Sequence, residues 1–175
     1  LLLYGLASRG FKRGGFNIHA NISAGPASVR PFDDEQVTTY EFGAKASFAD
    51  QTWFVNAAYF YSDYKDIQLS IFTTIPNSNP PAFFGDFTNA GAATVQGVEL
   101  EVFGQFNENW VLQGNLGYLD AEYDEYISAG VNVAGAQKFT NAPNFSGALS
   151  LQYIHPLASG GEIRTRVGYT YQTKV

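Results

Sequence analysis

The sequence predicts an all-β chain, an antiparallel up-and-down transmembrane β-barrel segment of about seven strands. Three observations predict it. Apolar and polar residues alternate along successive stretches, the pattern of a sheet with two unlike faces. Several apolar stripes are nine residues long with aromatic rings at both ends, close to the roughly 9–11 residues that a tilted strand needs to cross a bilayer. Long and short connections alternate along the chain, as they do in membrane barrels.

Composition agrees. The chain has 175 residues with 18 Gly, 16% aromatic residues, no Cys and no Met, a β-rich and turn-rich make-up. A net charge of −6 argues against a nucleic-acid partner, which needs a basic patch. The absence of Cys removes disulfides and thiolate metal sites. No stretch has the length and apolarity of a transmembrane helix, which leaves barrel strands open, since their hydropathy signal is weaker. There is no initiator Met, and both ends of the sequence fall mid-pattern, so a segment of a longer protein is expected.

The elements follow in order. The first strand runs from about Leu2 to Arg9, with Leu2, Tyr4 and Leu6 on one face and Leu3, Gly5 and Ala7 on the other. A polar stretch from about Phe11 to Gln36 follows. The best-defined unit is the hairpin Tyr40 to Tyr61, turning at Ala49-Asp50-Gln51-Thr52. Tyr40, Phe42, Ala44, Ala46 and Phe48 share one face of its first strand; Trp53, Val55, Ala57, Tyr59 and Tyr61 share one face of its second. That second strand continues to about Phe72. Asp63 and Lys65 then enter the outward face, so the extension should stand in water.

A second long stretch, about Thr73 to Ala90, holds Pro76, Pro80 and Pro81 and is expected to carry no strand. Strand four covers about Thr94 to Phe106, and Asn107-Glu108-Asn109 turns the chain into strand five at Trp110. A third long stretch spans about Asp124 to Asn144. Strand six starts at Phe145, His155 to Gly161 makes the third short turn, and strand seven follows. The aromatic-ended stripe recurs at Trp110–Tyr118 and Phe145–Tyr153. Nine residues at ~3.3 Å, tilted by ~40°, climb roughly 20 Å, near the ~25 Å apolar band of an outer-membrane barrel.

Two sets of residues gain expected places. Tyr40, Phe48, Trp53, Tyr61, Phe106, Trp110, Tyr118, Phe145 and Tyr153 are membrane-interface aromatics, with Phe48, Trp53, Phe106 and Trp110 at the short-turn, periplasmic side. Glu41, Lys45, Glu99, Glu101, Arg164 and Arg166 line a wet lumen. In a soluble β-sandwich binding module the same charges would be the solvated face, and in a porin-like passive barrel they would line an open pore.

Ordered pieces of the chain carry a resemblance. These are Arg9 to Asn17 (RGFKRGGFN), Phe32 to Lys45 (FDDEQVTTYEFGAK), Phe60 to Gln68 (FYSDYKDIQ), Asn89-Ala90-Gly91 with Gly97 to Glu101 (GVELE), and Asn141-Ala142-Pro143. In this order they resemble the C-terminal part of the barrel of a TonB-dependent outer-membrane receptor. The resemblance implies that residues 1–175 are part of a 22-stranded barrel in the outer membrane of a Gram-negative bacterium. Its plug domain, TonB box and C-terminal strands would lie outside this sequence. It implies import of a scarce nutrient, most commonly a ferric siderophore, with energy from TonB and with no enzymatic role and no cofactor. The implied partners are outer-membrane lipid, the plug, the other barrel strands, TonB and the ligand.

Arg9, Lys12 and Arg13 make a basic cluster at the mouth of the first long loop. It would steer an anionic chelate, anchor a strand end at a lipopolysaccharide surface, or simply be solvated. Asp33, Asp34 and Glu35 match no cation-loop spacing and read as a solvated run. Glu99 and Glu101 share a face without a nucleophile or His in pattern, which favours lumen polarity or pairing with a neighbouring strand over acid–base chemistry. His19 and His155 have no partner at metal spacing. Tyr126, Phe139, Phe83 and Phe84 either stack on a ligand or pack loop on loop.

Overall fold

The computed structural model describes residues 1–17, 31–75 and 77–175. His19 and Pro76 lie outside the described residues. The strands are β1 (Leu2–Lys12), β2 (Gly15–Phe16), β3 (Pro31–Phe32), β4 (Glu35–Phe48), β5 (Trp53–Thr74), β6 (Phe83–Gln105), β7 (Trp110–Ser128), β8 (Val131–Asn132), β9 (Phe145–Pro156) and β10 (Glu162–Gln172). One antiparallel meander, β1-β4-β5-β6-β7-β9-β10, forms the body, with β8 pairing the far end of β7 and β2 pairing β3 in a small separate ribbon. Consecutive long strands are neighbours throughout, as an up-and-down barrel wall requires.

The register confirms the alternation residue by residue. Ala46, Val55, Val102, Gly114, Leu149 and Tyr169 stand side by side across six strands. The row above holds Leu3, Ala44, Ala57, Leu100, Leu116, Gly147 and Tyr171. These rows make a belt of small and aliphatic side chains on one face. Aromatic rings close it at the short-turn end. Phe48 and Trp53 lie 6.1 Å apart, Trp53 and Phe106 5.0 Å, and Trp110 and Tyr153 4.7 Å between ring centroids. At the other end Tyr40 faces Tyr61 and Tyr118 faces Phe145.

No core lies beneath this belt. Among the described residues the buried apolar ones are Ile71, Phe84, Ala90 and Ala93, and all four lie outside the apolar stripes. Phe42, Val98, Leu116 and Leu149 are exposed instead. A soluble sandwich would bury such side chains in a second layer; here the apolar face is a contiguous surface.

Several strands outrun their sequence-derived limits. The largest correction concerns the stretch 73–90, expected to be strandless. β5 runs to Thr74 and β6 begins at Phe83, so the break is confined to residues 75–82 around the cis Asn79–Pro80 bond. Phe83 to Thr88 contains no proline and pairs with Leu69 to Thr74. β1 reaches Lys12 rather than Arg9, and β7 reaches Ser128. The irregularities fall beyond the stripes, at Tyr64–Gln68 between β5 and β6 and at Ala92/Ala93 between β6 and β7. Asp66, at φ 55°, forms the first of these bulges.

Glycines on this sheet make room for neighbouring rings. Trp53 lies over Gly104, Tyr4 over Gly43 and Phe60 over Gly97, each pair directly opposite in the register. A Cβ on Gly97 would come within 2.4 Å of the Tyr118 carbonyl oxygen and 2.8 Å of the Phe60 ring. Backbone cannot yield cheaply there, so Gly97→Ala should destabilise the barrel by about 1–3 kcal/mol. Urea unfolding in detergent micelles, followed by β-sheet circular dichroism, measures the shift.

Candidate functional site

The polar face opposite the belt is the first candidate. One row across it holds Leu2, Lys45, Asn56, Glu101, Asn115, Ala148 and Thr170, and the next holds Tyr4, Gly43, Ala58, Glu99, Gly117 and Ser146. Glu41 stands between Leu6 and Phe60. The Tyr4 hydroxyl donates to Glu41 Oε1 at 2.6 Å, and Lys45 Nζ sits 5.8 Å from the Tyr4 ring centroid. Asn56 Nδ2 donates to Glu101 Oε2 at 3.2 Å. Glu41, Glu99 and Glu101 form no ion pair among the described residues.

Beside this acidic wall lies a trough of about 520 Å³, lined by Phe54, Phe103, Gln113, Asn115, Ser150 and Thr170 among others. The Phe54 and Phe103 rings are 6.1 Å apart at its edge. Arg164 and Arg166 are on the same polar face on β10, where Arg164 pairs with Glu162 at 2.5 Å and Arg166 donates to Gln152 Oε1 at 3.2 Å. The six sequence-derived lumen candidates therefore share one face. The register separates them into three glutamates with Lys45 on β4 and β6 and a basic pair on β10.

The second candidate is the long-loop end. Gln68, buried, ties it together. Its Nε2 donates to the carbonyls of Lys12 (3.3 Å), Arg13 (3.0 Å) and Asp33 (3.1 Å), and its backbone N–H donates to Glu35 Oε2 at 3.0 Å. Asn89 bridges the same loop to the bulge, donating to the Asp33 and Asp66 carbonyls at 2.9 and 2.7 Å. The acidic run is thus spent on structure. Asp34 accepts the Gly14 N–H at 2.7 Å, and Glu35 meets Lys12 at 4.0 Å. Sequence reasoning singled out neither Gln68 nor Asn89. No local pattern marks an amide whose partners lie 23 to 56 residues away.

The basic trio does not form one cluster. Arg9 stands opposite Thr38, on the face of Tyr40, and donates to Gln36 Oε1. Lys12 stands opposite Glu35 on the polar face, with its Nζ 5.7 Å from the Phe87 ring centroid. Phe87 in turn meets Phe32 edge-on at 4.9 Å. Arg13 follows the end of β1. Of the four aromatics expected in loops, Phe139 alone lies outside the strands, stacked on Tyr123 at 4.2 Å; Tyr126 is in β7, edge-on to Tyr123 at 5.2 Å, and Phe83 (exposed) and Phe84 (buried) begin β6. Partial burial, then the nearby Tyr126 and Glu35, push the Tyr123 hydroxyl above its ordinary value of 10.0. The stack therefore stays neutral over the physiological range.

Comparison with known proteins sets this geometry in context. The family model described as TonB dependent receptor-like, beta-barrel matches residues 1–175. The chain belongs to the TonB-dependent receptor β-barrel family. The pesticin receptor of Yersinia pestis is 28% identical over 153 residues, covering 86% of this chain and 21% of that protein. The metal-pseudopaline receptor CntO of Pseudomonas aeruginosa is 32% identical over 147 residues, covering 84% of this chain and 18% of that protein. Among solved structures, the ferric yersiniabactin uptake receptor FyuA from Yersinia pestis superposes with a TM-score of 0.66 at 24% identity, over 96% of this chain and 23% of that one. The chain thus spans about a fifth of the length of the curated relatives it matches.

Membership gives the faces and ends their surroundings. TonB-dependent receptors are outer-membrane barrels, and in such barrels an apolar outer face meets lipid while a polar inner face lines the lumen. In such barrels short turns point to the periplasm and long loops to the outside.

The Gln68 tie yields a test. Gln68→Leu removes the donor to three carbonyls at once. It should loosen the first loop by about 2–3 kcal/mol while leaving the membrane-embedded strands folded. Amide hydrogen exchange should accelerate across residues 31–35 and stay unchanged across 98–104.

Proposed function

We propose that the protein is part of the wall of an energised outer-membrane importer, in which strands outside these residues close a 22-stranded barrel around a plug domain. Its cargo in this reading is a scarce nutrient carried as a small chelate, a ferric siderophore foremost. Energy arrives from TonB through a segment outside these residues. The role is transport without catalysis.

The observation that carries the reading is the pairing of a lipid-matched belt with an acidic, hydrogen-bonded lumen wall in a chain whose whole length matches this family. The relatives' names agree in kind: CntO is a metal-pseudopaline receptor and FyuA a ferric yersiniabactin uptake receptor. Lys12 is the basic candidate for ligand contact, because it alone of Arg9 and Lys12 is turned to the polar face, above the Phe87 ring. Arg13 at the loop mouth remains a second candidate.

Radiolabelled iron uptake tests this. In iron-starved cells carrying the full-length receptor, a ferric siderophore that the receptor takes up should enter at a rate that falls to background when either the receptor or TonB is removed. Uptake that persists without TonB would assign a passive pore instead.

A further inference from the structure

The split of the basic residues between two faces leaves Arg9 without a place in the lumen. We propose that Arg9 and Lys65 form a binding site, on the outward surface of the barrel, for a phosphate group of the glycolipid in the outer leaflet.

The register brings the parts together. On the outward face Arg9 stands opposite Thr38, Phe11 opposite Gln36, and Gln36 opposite Lys65. Three neighbouring strands thus present two cations around one amide. Both cationic side chains are exposed, and Arg9 is held by its bond to Gln36 rather than by a carboxylate. Its remaining guanidinium donors are free for a phosphate, which a fork of planar donors suits. Asp63, opposite Thr38, holds Lys65 at 3.2 Å and takes one of its three ammonium donors.

Height selects the occupant. Tyr40 and Tyr61 mark the outer end of the apolar belt on β4 and β5. Thr38 and Gln36 lie two and four residues beyond Tyr40, roughly 5 and 10 Å higher at ~3.3 Å per residue and a barrel tilt of ~40°. The headgroup layer reaches roughly 5–8 Å above the hydrocarbon, so Arg9, opposite Thr38, stands within it and Lys65, opposite Gln36, at its outer edge. The Phe11 ring, exposed on the same face, can lie against the glycolipid's sugar or upper acyl chain. A soluble anion has no reason to prefer this lipid-side position over the lumen.

Charge around the rim selects the sector. Above Tyr118 the outward face carries Asp120 and Glu122, and Asp124 accepts a bond from the outward Thr94 at 2.9 Å. On its outward strand face that sector carries three carboxylates, with Lys138 and Lys174 beside Asp120 and Glu122, whereas Arg9, Lys65 and Asp63 leave one net positive charge. Anionic headgroups are therefore drawn more strongly to β1, β4 and β5, where cations outnumber carboxylates, than to β7.

Native mass spectrometry of the full-length receptor in phosphatidylcholine nanodiscs containing bis-phosphorylated lipid A tests the assignment. Each basic residue near such a surface should count for about fivefold in retention. R9Q/K65Q should therefore retain markedly less lipid A, and Asp63→Asn should retain more. Lys12→Gln, which removes a charge from the lumen side, should retain as much as wild type. Fully dephosphorylated lipid A should bind wild type as weakly as the phosphorylated form binds R9Q/K65Q. Unchanged detergent melting of the variants shows that they fold. Undiminished retention in R9Q/K65Q, an equal loss in Lys12→Gln, or displacement of lipid A by inorganic phosphate at equal concentration would each overturn the proposal.

Discussion

In hydrocarbon no water stands ready to satisfy an amide, so each backbone N–H and C=O must find its partner in the next strand. This constraint shapes the rest of the chain. Between the two aromatic ends, pairing proceeds without a register shift from β1 to β10. A slip of one residue would turn a whole strand's apolar set into the lumen. Both irregularities lie above the belt, where water can reach the backbone and a bulge costs less.

Unbroken register has a side-chain consequence. Directly opposed residues share a face, so a ring on one strand competes for space with whatever faces it. Tyr4, Phe60 and Trp53 each lie over a glycine in the neighbouring strand. The aromatic residues can then lie flat on the sheet rather than project from it. In the lumen this brings the Tyr4 hydroxyl to Glu41. On the apolar face it seats Trp53 between Phe48 and Phe106 at the short-turn end.

Much of the membrane-embedded part was legible in the sequence, because lipid on one side and water on the other impose a strict period of two. The hairpin turn at Ala49-Asp50-Gln51-Thr52 was legible from its flanks, although it contains no glycine and places Ala49, Asp50 and Gln51 at positive φ. Beyond the belt that signal fades. β6 begins at Phe83 because its partner β5 continues, a fact about pairing rather than about local composition. The basic trio was misgrouped for a related reason. Arg9 and Lys12 are three residues apart, an odd spacing that puts them on opposite faces once β1 is known to reach Lys12. Gln68 and Asn89 were out of reach, since they are defined by backbone carbonyls from distant parts of the chain.

The central claim is that the belt faces hydrocarbon and that its rings sit at the interface. Trp53 and Trp110 are the two tryptophans of this chain, and both lie at the short-turn edge of the belt. The most direct measurement is depth-dependent fluorescence quenching of these residues by lipids brominated at defined acyl positions, in the full-length receptor with its other tryptophans replaced by phenylalanine. Quenching should be strongest for bromines nearest the headgroup and weak at the bilayer centre. Failure of bromines at every depth to quench either residue would contradict the account.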